Sequence, residues 1–279
     1  MQGAGNDYVY IDTLGSPTSV SPDHISFPDL AKKISNRHFG VGGDGLIVIM
    51  PSANADFRMR MFNADGSEAQ MCGNGTRCVA KYVHDKGFTD KTVFTLETLA
   101  GIKELHLQIE DGATREVTVD MGKAILNRGG VPAAGPEDTM MKDEPVKVDD
   151  TEFPVTAVGM GNPHGVIFVD KISDRHIFHY GPLLEIAGVW PEKANIEFIE
   201  VVSPSHIKMR VWERGSGETL ACGTGACASV VAAVEKGLTE PTVRVELLGG
   251  DLSVRYDKES GHVFMTGPAE FVAEGKYYL

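Results

Sequence analysis

The chain has 279 residues, of which 42% are hydrophobic and 23% charged, and its formal net charge is −13. This length accommodates two globular domains, and the acidic balance argues against nucleic acid or an anionic membrane as a partner. No apolar run approaches the ~20 residues of a membrane span, and no basic-then-apolar leader opens the chain, so we expect a cytoplasmic protein whose partner is a small molecule or another protein.

The first half of the chain predicts, in order, a glycine turn, a strand, a small proline-opened helix, a second strand, a longer helix and a closing hairpin. The segments are Gly3–Asn6, Tyr8–Asp12, a helix from Pro28, Asp56–Phe62, a helix from Gly73 towards Gly87, and Thr92–Ile109. Gly87 stands where a helix C-cap is expected.

The second half predicts the same order of elements. Its segments are Gly159–Asn162, Gly165–Asp170, a helix from Pro182, Ile207–Trp212, a helix from Gly223 towards Gly237, and Thr242–Tyr256. Between the halves, Gly129–Asp150 is rich in proline, glycine and acidic residues, so we predict a surface loop without a catalytic role.

An offset of 150 residues relates the two halves. It superimposes Arg60 on Arg210, Glu68 on Glu218, Cys72 on Cys222, and Lys86-Gly87 on Lys236-Gly237. Agreement at charged, cysteine and glycine positions alike indicates an internal duplication.

The duplication and the many strands predict an α+β fold of two pseudo-symmetric domains. We expect each domain to be a curved, mostly antiparallel sheet wrapped around a central α-helix. The predicted domains are residues 1–117 plus 266–279 and residues 118–265, with the active site in the cleft between them.

The four cysteines fall in the words MCGNGTRC (Met71–Cys78) and ACGTGAC (Ala221–Cys227). Structural disulfides are not expected in a reducing cytoplasm. The spacings C-x5-C and C-x4-C lack the Cys-x2-Cys knuckle of a zinc site, so we predict no metal. Cys78 and Cys227 lie on apolar helical stripes and out of register in the repeat, which favours a packing role.

Cys72 and Cys222 each stand just ahead of a Gly-x-Gly turn that opens a helix. Backbone N–H groups at a helix start bind carboxylates, and the same positive end lowers a thiol pKa. If duplicated halves pack about a pseudo-twofold axis, the two sulfurs face one another. One thiolate then removes an α-proton while the opposite thiol delivers another, which inverts a stereocentre without a cofactor.

A different class of function remains open for the same pair. Cys72 and Cys222 would form a reversible disulfide in a redox switch or in a module that only binds carboxylates.

Over nearly its whole length the chain resembles the diaminopimelate epimerase family. The resemblance lies in the words GAGNDYVYID, FNADGSEAQMCGNGTRC, MGNPH, NIEF, RVWERGSGETLACGTGA and MTGPAEFV. It implies a cofactor-independent isomerase that interconverts LL- and meso-2,6-diaminopimelate in lysine and peptidoglycan-precursor biosynthesis. Proline racemases, which share the fold and the cysteine pair, are the alternative, and a homodimer is a further expectation.

The resemblance also implies roles for individual residues. Cys72 and Cys222 correspond to the catalytic bases. His164 and Glu213 correspond to residues that tune thiol ionisation. Positions that match substrate-binding residues are Asn6, Asn63, Gly73, Asn74, Asn162, Asn195, Glu213, Arg214, Gly223 and Thr224. Asparagines beside glycine also occur as plain turn residues, and Glu68 is interpreted as a structural carboxylate that bonds turn amides.

Overall fold

The fold is described from a computed structural model of the chain, which describes residues 1–15 and 25–278. The chain divides into two compact units, Met1–Asp120 with Thr266–Leu279, and Met121–Met265. Within the described ranges, no helix has the length and apolar character that a bilayer crossing needs.

The first unit is rich in strands, and its longer helix is α2. Its elements are β1 (Gln2–Gly3), β2 (Asn6–Asp12), α1 (Phe27–Ile34), β3 (Gly45–Met50), β4 (Phe57–Asn63), β5 (Glu68–Ala69), α2 (Gly73–Asp85), β6 (Val93–Thr98), β7 (Gly101–Glu110) and β8 (Ala113–Lys123), which continues into the second unit.

Helix α1 forms where its capping residues and apolar stripe agree. The Ser26 hydroxyl accepts a hydrogen bond from the Asp29 N–H at 3.4 Å, and Pro28 occupies the first turn. The helix buries Phe27, Leu30, Ala31 and Ile34 in a core cluster that also holds Leu46, Val48 and Phe62 from β3 and β4. This packing holds β4, which ends at Asn63 and leads through β5 to Cys72.

Helix α2 follows Cys72, whose extended backbone (φ −132°) makes it the N-cap residue. The helix ends before Gly87, which has a φ of +76°, as a glycine C-cap requires. Arg77 is fully buried on this helix. Its guanidinium donates to the Asn74 side-chain oxygen at 2.9 Å and to the Pro268 carbonyl at 3.1 Å, which ties α2 to the C-terminal segment of the same unit.

The second unit is also strand-rich, and its longer helix is α4. Its elements are β9 (Glu144–Val148), β10 (Thr151–Gly159), β11 (Pro163–Phe168), a π-helical turn (His176–Tyr180), α3 (Gly181–Glu185), β12 (Asn195–Ser203), β13 (His206–Glu213), β14 (Gly217–Glu218), α4 (Gly223–Glu235), β15 (Thr242–Leu247), β16 (Gly250–Tyr256) and β17 (His262–Pro268), which continues into the first unit.

The two units share one pattern of strand pairing. In the first, β2 runs parallel to β3, β3 antiparallel to β4, β4 parallel to β6, and β6 antiparallel to β7. In the second, β11, β12, β13, β15 and β16 repeat this pattern step for step. Helices α2 and α4 begin and end 150 residues apart. The predicted α+β fold built from a duplicated unit is confirmed.

The interpretation of Glu68 as a carboxylate bonded to turn amides is wrong. Its carboxylate accepts hydrogen bonds from Arg60 at 2.7 and 2.9 Å. The equivalent pair in the second unit, Arg210 and Glu218, meets at 2.7 Å. Each ion pair joins a long strand, β4 or β13, to the short strand that comes next in the chain, β5 or β14. Both halves of the duplication therefore preserve the same ion pair.

The predicted surface loop at Gly129–Asp150 is wrong in part. Residues Glu144–Val148 form β9, which pairs antiparallel with β10. Val131 and Met141 are fully buried in the core of the second unit. The segment is mostly polar, and these two buried apolar residues lie too far apart in sequence to show the period of a strand or a helix.

Candidate active site

In the first unit, the Cys72 turn brings a thiol and an asparagine together. Cys72 is half-buried, and its Sγ donates to the Asn6 side-chain oxygen at 3.2 Å. The glycine turn before β2, in which Ala4 and Gly5 both have positive φ, places Asn6 at the start of that strand. The sequence words GAGND and MCGNG therefore meet in space.

An acidic residue that the sequence did not single out holds Asn6 in place. The Asp44 carboxylate accepts from the Asn6 side-chain nitrogen at 2.7 Å and from the Asp7 N–H at 3.1 Å. Burial, and then the charge of Asp7, raise the pKa of Asp44. Because its nitrogen is engaged with Asp44, Asn6 presents its oxygen to the thiol.

The remaining predicted residues of the first unit lie at the same end of its sheet and helix. Gly73 and Asn74 are buried in the first turn of α2. Asn63 ends β4, and its side-chain nitrogen donates to the Ser67 hydroxyl at 3.0 Å. Asn63 therefore takes part in the tight turn between β4 and β5, which leads to the start of α2.

In the second unit, Cys222 occupies the equivalent N-cap position before α4, with a φ of −123°. Only 6% of its surface is exposed. Its Sγ lies 3.6 Å from the Thr224 hydroxyl. Burial raises the pKa of the Cys222 thiol well above its usual range, and the charges of Glu213 and Glu197 raise it further. The lowered pKa expected at a helix start is wrong for this thiol, because desolvation and two carboxylates outweigh the helix end.

Glu213 lies at the end of β13, close to this sulfur. The Thr219 hydroxyl donates to its carboxylate. Burial is the main cause that raises the pKa of Glu213, while contacts with Thr219, His164 and Cys222 lower it. A carboxyl group of raised pKa beside a thiol is a candidate for exchanging protons with it.

His164 is fully buried behind the Cys222 turn and links two side chains. Its Nδ1 lies 2.7 Å from Glu197 Oε1, and its Nε2 lies 2.8 Å from the Asn162 side-chain oxygen. The Asn162 nitrogen donates to the Thr224 hydroxyl at 3.4 Å. The chain of contacts runs from Glu197 through His164 and Asn162 to Thr224, and Thr224 in turn touches the thiol.

Asn195, at the start of β12, is hydrogen-bonded to Arg214, which follows β13. The Asn195 side chain donates to the Pro163 carbonyl at 3.0 Å and accepts from the Arg214 N–H at 2.9 Å. The Arg214 guanidinium donates to the Glu192 carbonyl at 3.0 Å. Asn195 is thus a buried brace for the β13 end and the MGNPH turn, in addition to any contact with a substrate.

The structure therefore groups the predicted residues in two clusters, one in each unit. Cys72 is grouped with Asn6, Asn63, Gly73 and Asn74, and the second cluster holds Cys222 with Asn162, His164, Asn195, Glu213, Arg214, Gly223 and Thr224. Cys78 and Cys227 are fully buried in their helices, as their packing interpretation predicts.

Sequence reasoning missed Asp44, Thr219 and Glu197. The signal for Glu197 was present, since it is a carboxylate within the otherwise apolar strand segment Ile196–Ile199. A charge flanked on both sides by buried apolar residues needs a buried partner, and His164 is that partner.

Comparison with known proteins shows the family to which the chain belongs. A family model described as diaminopimelate epimerase matches residues 1–127 and 156–272. The diaminopimelate epimerase of Acetivibrio thermocellus is 50% identical over 279 residues, covering 100% of this chain and 97% of that protein. The diaminopimelate epimerase of Methanococcus maripaludis strain C5 is 47% identical over 276 residues, covering 99% of this chain and 97% of that protein.

Solved structures show the same fold at lower identity. A hydroxyproline epimerase from Agrobacterium vitis, with bound trans-4-hydroxy-L-proline, has a TM-score of 0.66 and 16% identity, and the match covers 96% of this chain and 86% of that one. A Bacillus anthracis phenazine biosynthesis protein of the PhzF family has a TM-score of 0.67 and 20% identity, with 100% and 95% coverage. The resemblance found in the sequence is confirmed, and the chain belongs to the diaminopimelate epimerase family, a family of isomerases.

Proposed function

We propose that this chain interconverts LL- and meso-2,6-diaminopimelate by proton transfer between two cysteines, without a cofactor, in cytoplasmic lysine and peptidoglycan-precursor biosynthesis. The observation that carries the proposal is the duplicated cysteine turn. Cys72 and Cys222 each cap a helix of equal length at the same register of the repeat, and each has a side-chain partner beside its sulfur. Relatives near 50% identity bear the name of this activity.

The active site is proposed to lie in a cleft between residues 1–117 plus 266–279 and residues 118–265. A thiolate on one side removes the α-proton while a thiol on the other side returns one. The N–H groups of Gly73, Asn74, Gly223 and Thr224 hold the α-carboxylate and take up the charge that develops on it. The two sulfurs exchange protonation states in each turnover, so the reverse reaction uses the same groups.

The far end of diaminopimelate is a second amino-acid group, which carries one ammonium and one carboxylate. Carboxamides of Asn6, Asn63, Asn162 and Asn195 and the side chains of Glu213 and Arg214 suit such an end, because they offer donors, acceptors and one charge of each sign. This is the feature that favours diaminopimelate over an amino acid with a single polar end.

A proline-type racemase is the second candidate. Solved structures with the same fold include the hydroxyproline epimerase above and a probable proline racemase from Agrobacterium radiobacter, which has a TM-score of 0.63 and 14% identity and covers 93% of this chain and 86% of that one. Identity this low supports the shared fold alone, whereas the relatives named diaminopimelate epimerase match almost end to end. Solvent deuterium entering proline but not diaminopimelate would favour the racemase.

The decisive experiment is α-proton exchange into diaminopimelate in D2O under reducing conditions, with no cofactor added. We expect Cys72→Ala and Cys222→Ala to lose epimerisation by at least about 10²-fold, because each removes one proton carrier. Cys227→Ala is the matched control, since it removes a buried thiol from the same helix as the Cys222 turn. Near-normal turnover in either active-site variant would show the two-base scheme to be wrong.

Two further expectations from the sequence can be tested alongside the proposal. If the protein is a homodimer, light scattering gives twice the chain mass. If the protein is instead a redox switch, reduction restores a binding function but gives no exchange at the α-carbon. Exchange that needs reductant and both cysteines supports the isomerase and excludes a mere switch.

A further inference from the structure

A buried carboxylate lies behind the turn that joins β13 to β14. Glu185 ends α3, and only 8% of its surface is exposed. Its Oε2 accepts from Trp212 Nε1 at 2.9 Å, and its Oε1 accepts from the Gly215 N–H at 3.0 Å. Burying a carboxylate is costly, and the cost is offset here because both oxygens are bonded to N–H donors.

The two donors lie on either side of the residues for which a substrate contact is proposed. Trp212 precedes Glu213, and Gly215 follows Arg214. Between them, the Arg214 N–H donates to the Asn195 side-chain oxygen at 2.9 Å. The backbone of this dipeptide is therefore held by the buried carboxylate and by Asn195 together.

The turn needs this support because it lies at the surface. Arg214, Gly215 and Ser216 are all exposed. The Ser216 N–H donates to the Glu213 carbonyl at 3.1 Å, and Gly215, the third residue of the turn, has a φ of +77°. The hydrogen bond that closes such a turn uses the N–H of the fourth residue, so the N–H of the third needs a partner from outside. Glu185 Oε1 is that partner.

Glu185 is also connected to the guanidinium of Arg214, through the loop that follows α3. Its backbone carbonyl accepts from the Ala194 N–H at 3.2 Å. Two residues earlier in this loop, the Glu192 carbonyl accepts from the Arg214 guanidinium at 3.0 Å. Lys193, which lies between them, pairs with the Glu185 carboxylate at 3.9 Å. Glu185 therefore supports both the backbone of Arg214 and the loop that holds its side chain.

In the first unit, apolar residues take the places of this acid and its indole donor. An offset of 150 residues places Phe62 at the position of Trp212. The prolines that open α1 and α3 lie 154 residues apart, which places Ala31 at the position of Glu185. Phe62 and Ala31 are both fully buried. A helix can therefore pack behind this turn without a carboxylate.

The turn of the first unit has no arginine to orient. Ala64 occupies the position of Arg214. The next residue, Asp65, accepts from the Ser67 N–H at 2.8 Å, so that turn is held by a side chain of its own. The acid, the indole and the arginine occur together in one unit and are replaced together in the other. This pattern indicates that Glu185 serves Arg214 and not the packing of the helix.

We propose that Glu185 is a positioning residue for substrate binding by Arg214. It fixes the backbone on both sides of Glu213 and Arg214, and so directs their side chains towards the far amino-acid group of diaminopimelate. A displaced Arg214 weakens binding of this group in the ground state and in the transition state alike, so the effect falls on KM. This inference rests on the proposed function, because it concerns recognition of the same substrate.

The kinetics of Glu185→Gln test the proposal in the full-length protein with diaminopimelate as substrate. Glutamine offers one oxygen and one NH2 group, so it accepts from one of the two N–H donors and opposes the other. The loss of one such hydrogen bond is expected to raise KM about tenfold, with kcat changed by less than about threefold. A fall in kcat/KM that lies mainly in kcat, or no fall, would overturn the proposal.

Glu246→Gln is the matched control, since it removes a glutamate charge elsewhere in the same unit. Glu246 on β15 pairs with His206 at 3.0 Å and is solvent-accessible. The KM of this variant is expected to stay within about twofold of the wild type. A rise equal to that in Glu185→Gln would show a general charge effect and would contradict the proposal.

Trp212→Phe tests whether the indole acts through Glu185. In the double variant with Glu185→Gln, the glutamine NH2 group no longer opposes the indole N–H. The rise in KM of the double variant is therefore expected to be smaller than the product of the rises in the two single variants. A rise that equals or exceeds this product would count against the proposal, because the two side chains would then act independently.

Thermal melts establish that each variant is folded. If Glu185→Gln does not fold, Trp212→Phe alone carries the kinetic test, since it removes one of the two donors of the carboxylate. Its KM is then expected to rise about threefold, and an unchanged KM would overturn the proposal.

Hydrogen–deuterium exchange tests the positioning without substrate. Glu185→Ala removes both acceptor oxygens and places at this position the residue that α1 has there, Ala31. The Gly215 amide is expected to exchange at least about fivefold faster in this variant, while the amides of the first-unit turn keep their wild-type rates. Unchanged exchange at Gly215 would overturn this inference alone, whereas failure of the wild type to epimerise diaminopimelate would overturn the proposed function alone.

Discussion

The two cysteine turns begin helices of equal length at the same register, yet the thiols lie in different surroundings. Cys72 is half-buried and touches an amide oxygen, whereas Cys222 is 6% exposed and faces two carboxylates. The backbone of the ancestral unit has been kept while the side chains behind the sulfur have changed.

The largest expected difference between the units concerns stability. Arg77 on α2 is fully buried, and its equivalent on α4 is Cys227. We expect Arg77→Met to lower the free energy of unfolding by about 3 kcal/mol, because the Asn74 side-chain oxygen and the Pro268 carbonyl lose their donor. Cys227→Ala should cost about 1 kcal/mol for one lost buried atom. Urea melts measure both, and equal losses would contradict the comparison.

A smaller effect, on the rate of epimerisation, is expected when a methyl group is added to Gly225 or to its equivalent, Gly75. Gly225→Ala drives a Cβ towards Glu197 Oε1, which His164 holds in place, so we expect epimerisation to fall by about 10²-fold through displacement of the turn. Gly75→Ala meets the end of the Ile47 side chain, which can rotate away, so we expect a loss of less than about fivefold. Rates of α-proton exchange compare the two, and a larger loss in Gly75→Ala would show the asymmetry to be reversed.

A difference of about tenfold is expected in thiol reactivity at neutral pH. The more exposed Cys72 should be alkylated before Cys222, while Cys78 and Cys227 stay unmodified because both are fully buried. A time course of iodoacetamide labelling, resolved by peptide, gives the order. Faster labelling of Cys222 would contradict the burial difference between the two turns.

The smallest expected effect is on acid stability, at the C-terminal ends of the two helices. Burial alone would raise the pKa of Asp85, but hydrogen bonds from His84 and Lys81 lower it to about 2. A carboxyl with a depressed pKa contributes stability above its unfolded pKa of about 4, and that stability is lost as the pH falls towards 2.

Asp85→Asn should therefore flatten the pH dependence of unfolding between about pH 4 and 2. Its counterpart Glu235 pairs with Lys258 at 3.3 Å in a more exposed position, so Glu235→Gln is the matched control and should leave the slope unchanged. Melting temperatures across this pH range measure both. Similar slopes for Asp85→Asn and the wild type would show that Asp85 does not set the acid response.

Local chemistry was sufficient to predict much of this fold. The proline-opened helices, the alternating strand at Asp56–Phe62, and the glycines that end α2 and α4 follow from capping and periodicity. The offset of the repeat, together with the Gly-x-Gly words, also predicts that both cysteines stand at helix starts. These features depend on contacts within a few residues of each other in the chain.

The side-chain partners could not be predicted in the same way, because they come from distant segments. Asp44 reaches Asn6 across 38 residues, and Glu197 reaches His164 across 33. Strand pairing brings these residues together, and a single sequence does not give the register. The raised pKa of Cys222 was missed for the same reason, since the helix end is local and the burial that opposes it is not.

The hydrogen bond from Arg77 to the Pro268 carbonyl has a consequence for biosynthesis. The first unit takes its closing residues from Thr266–Leu279, which leave the ribosome after the whole of Met121–Met265. We expect α2 to acquire its last carbonyl partner late, because Pro268 is synthesised only after the whole of Met121–Met265. A stop codon just upstream of Pro268 would then leave a nascent product with one finished half and one exposed to proteolysis.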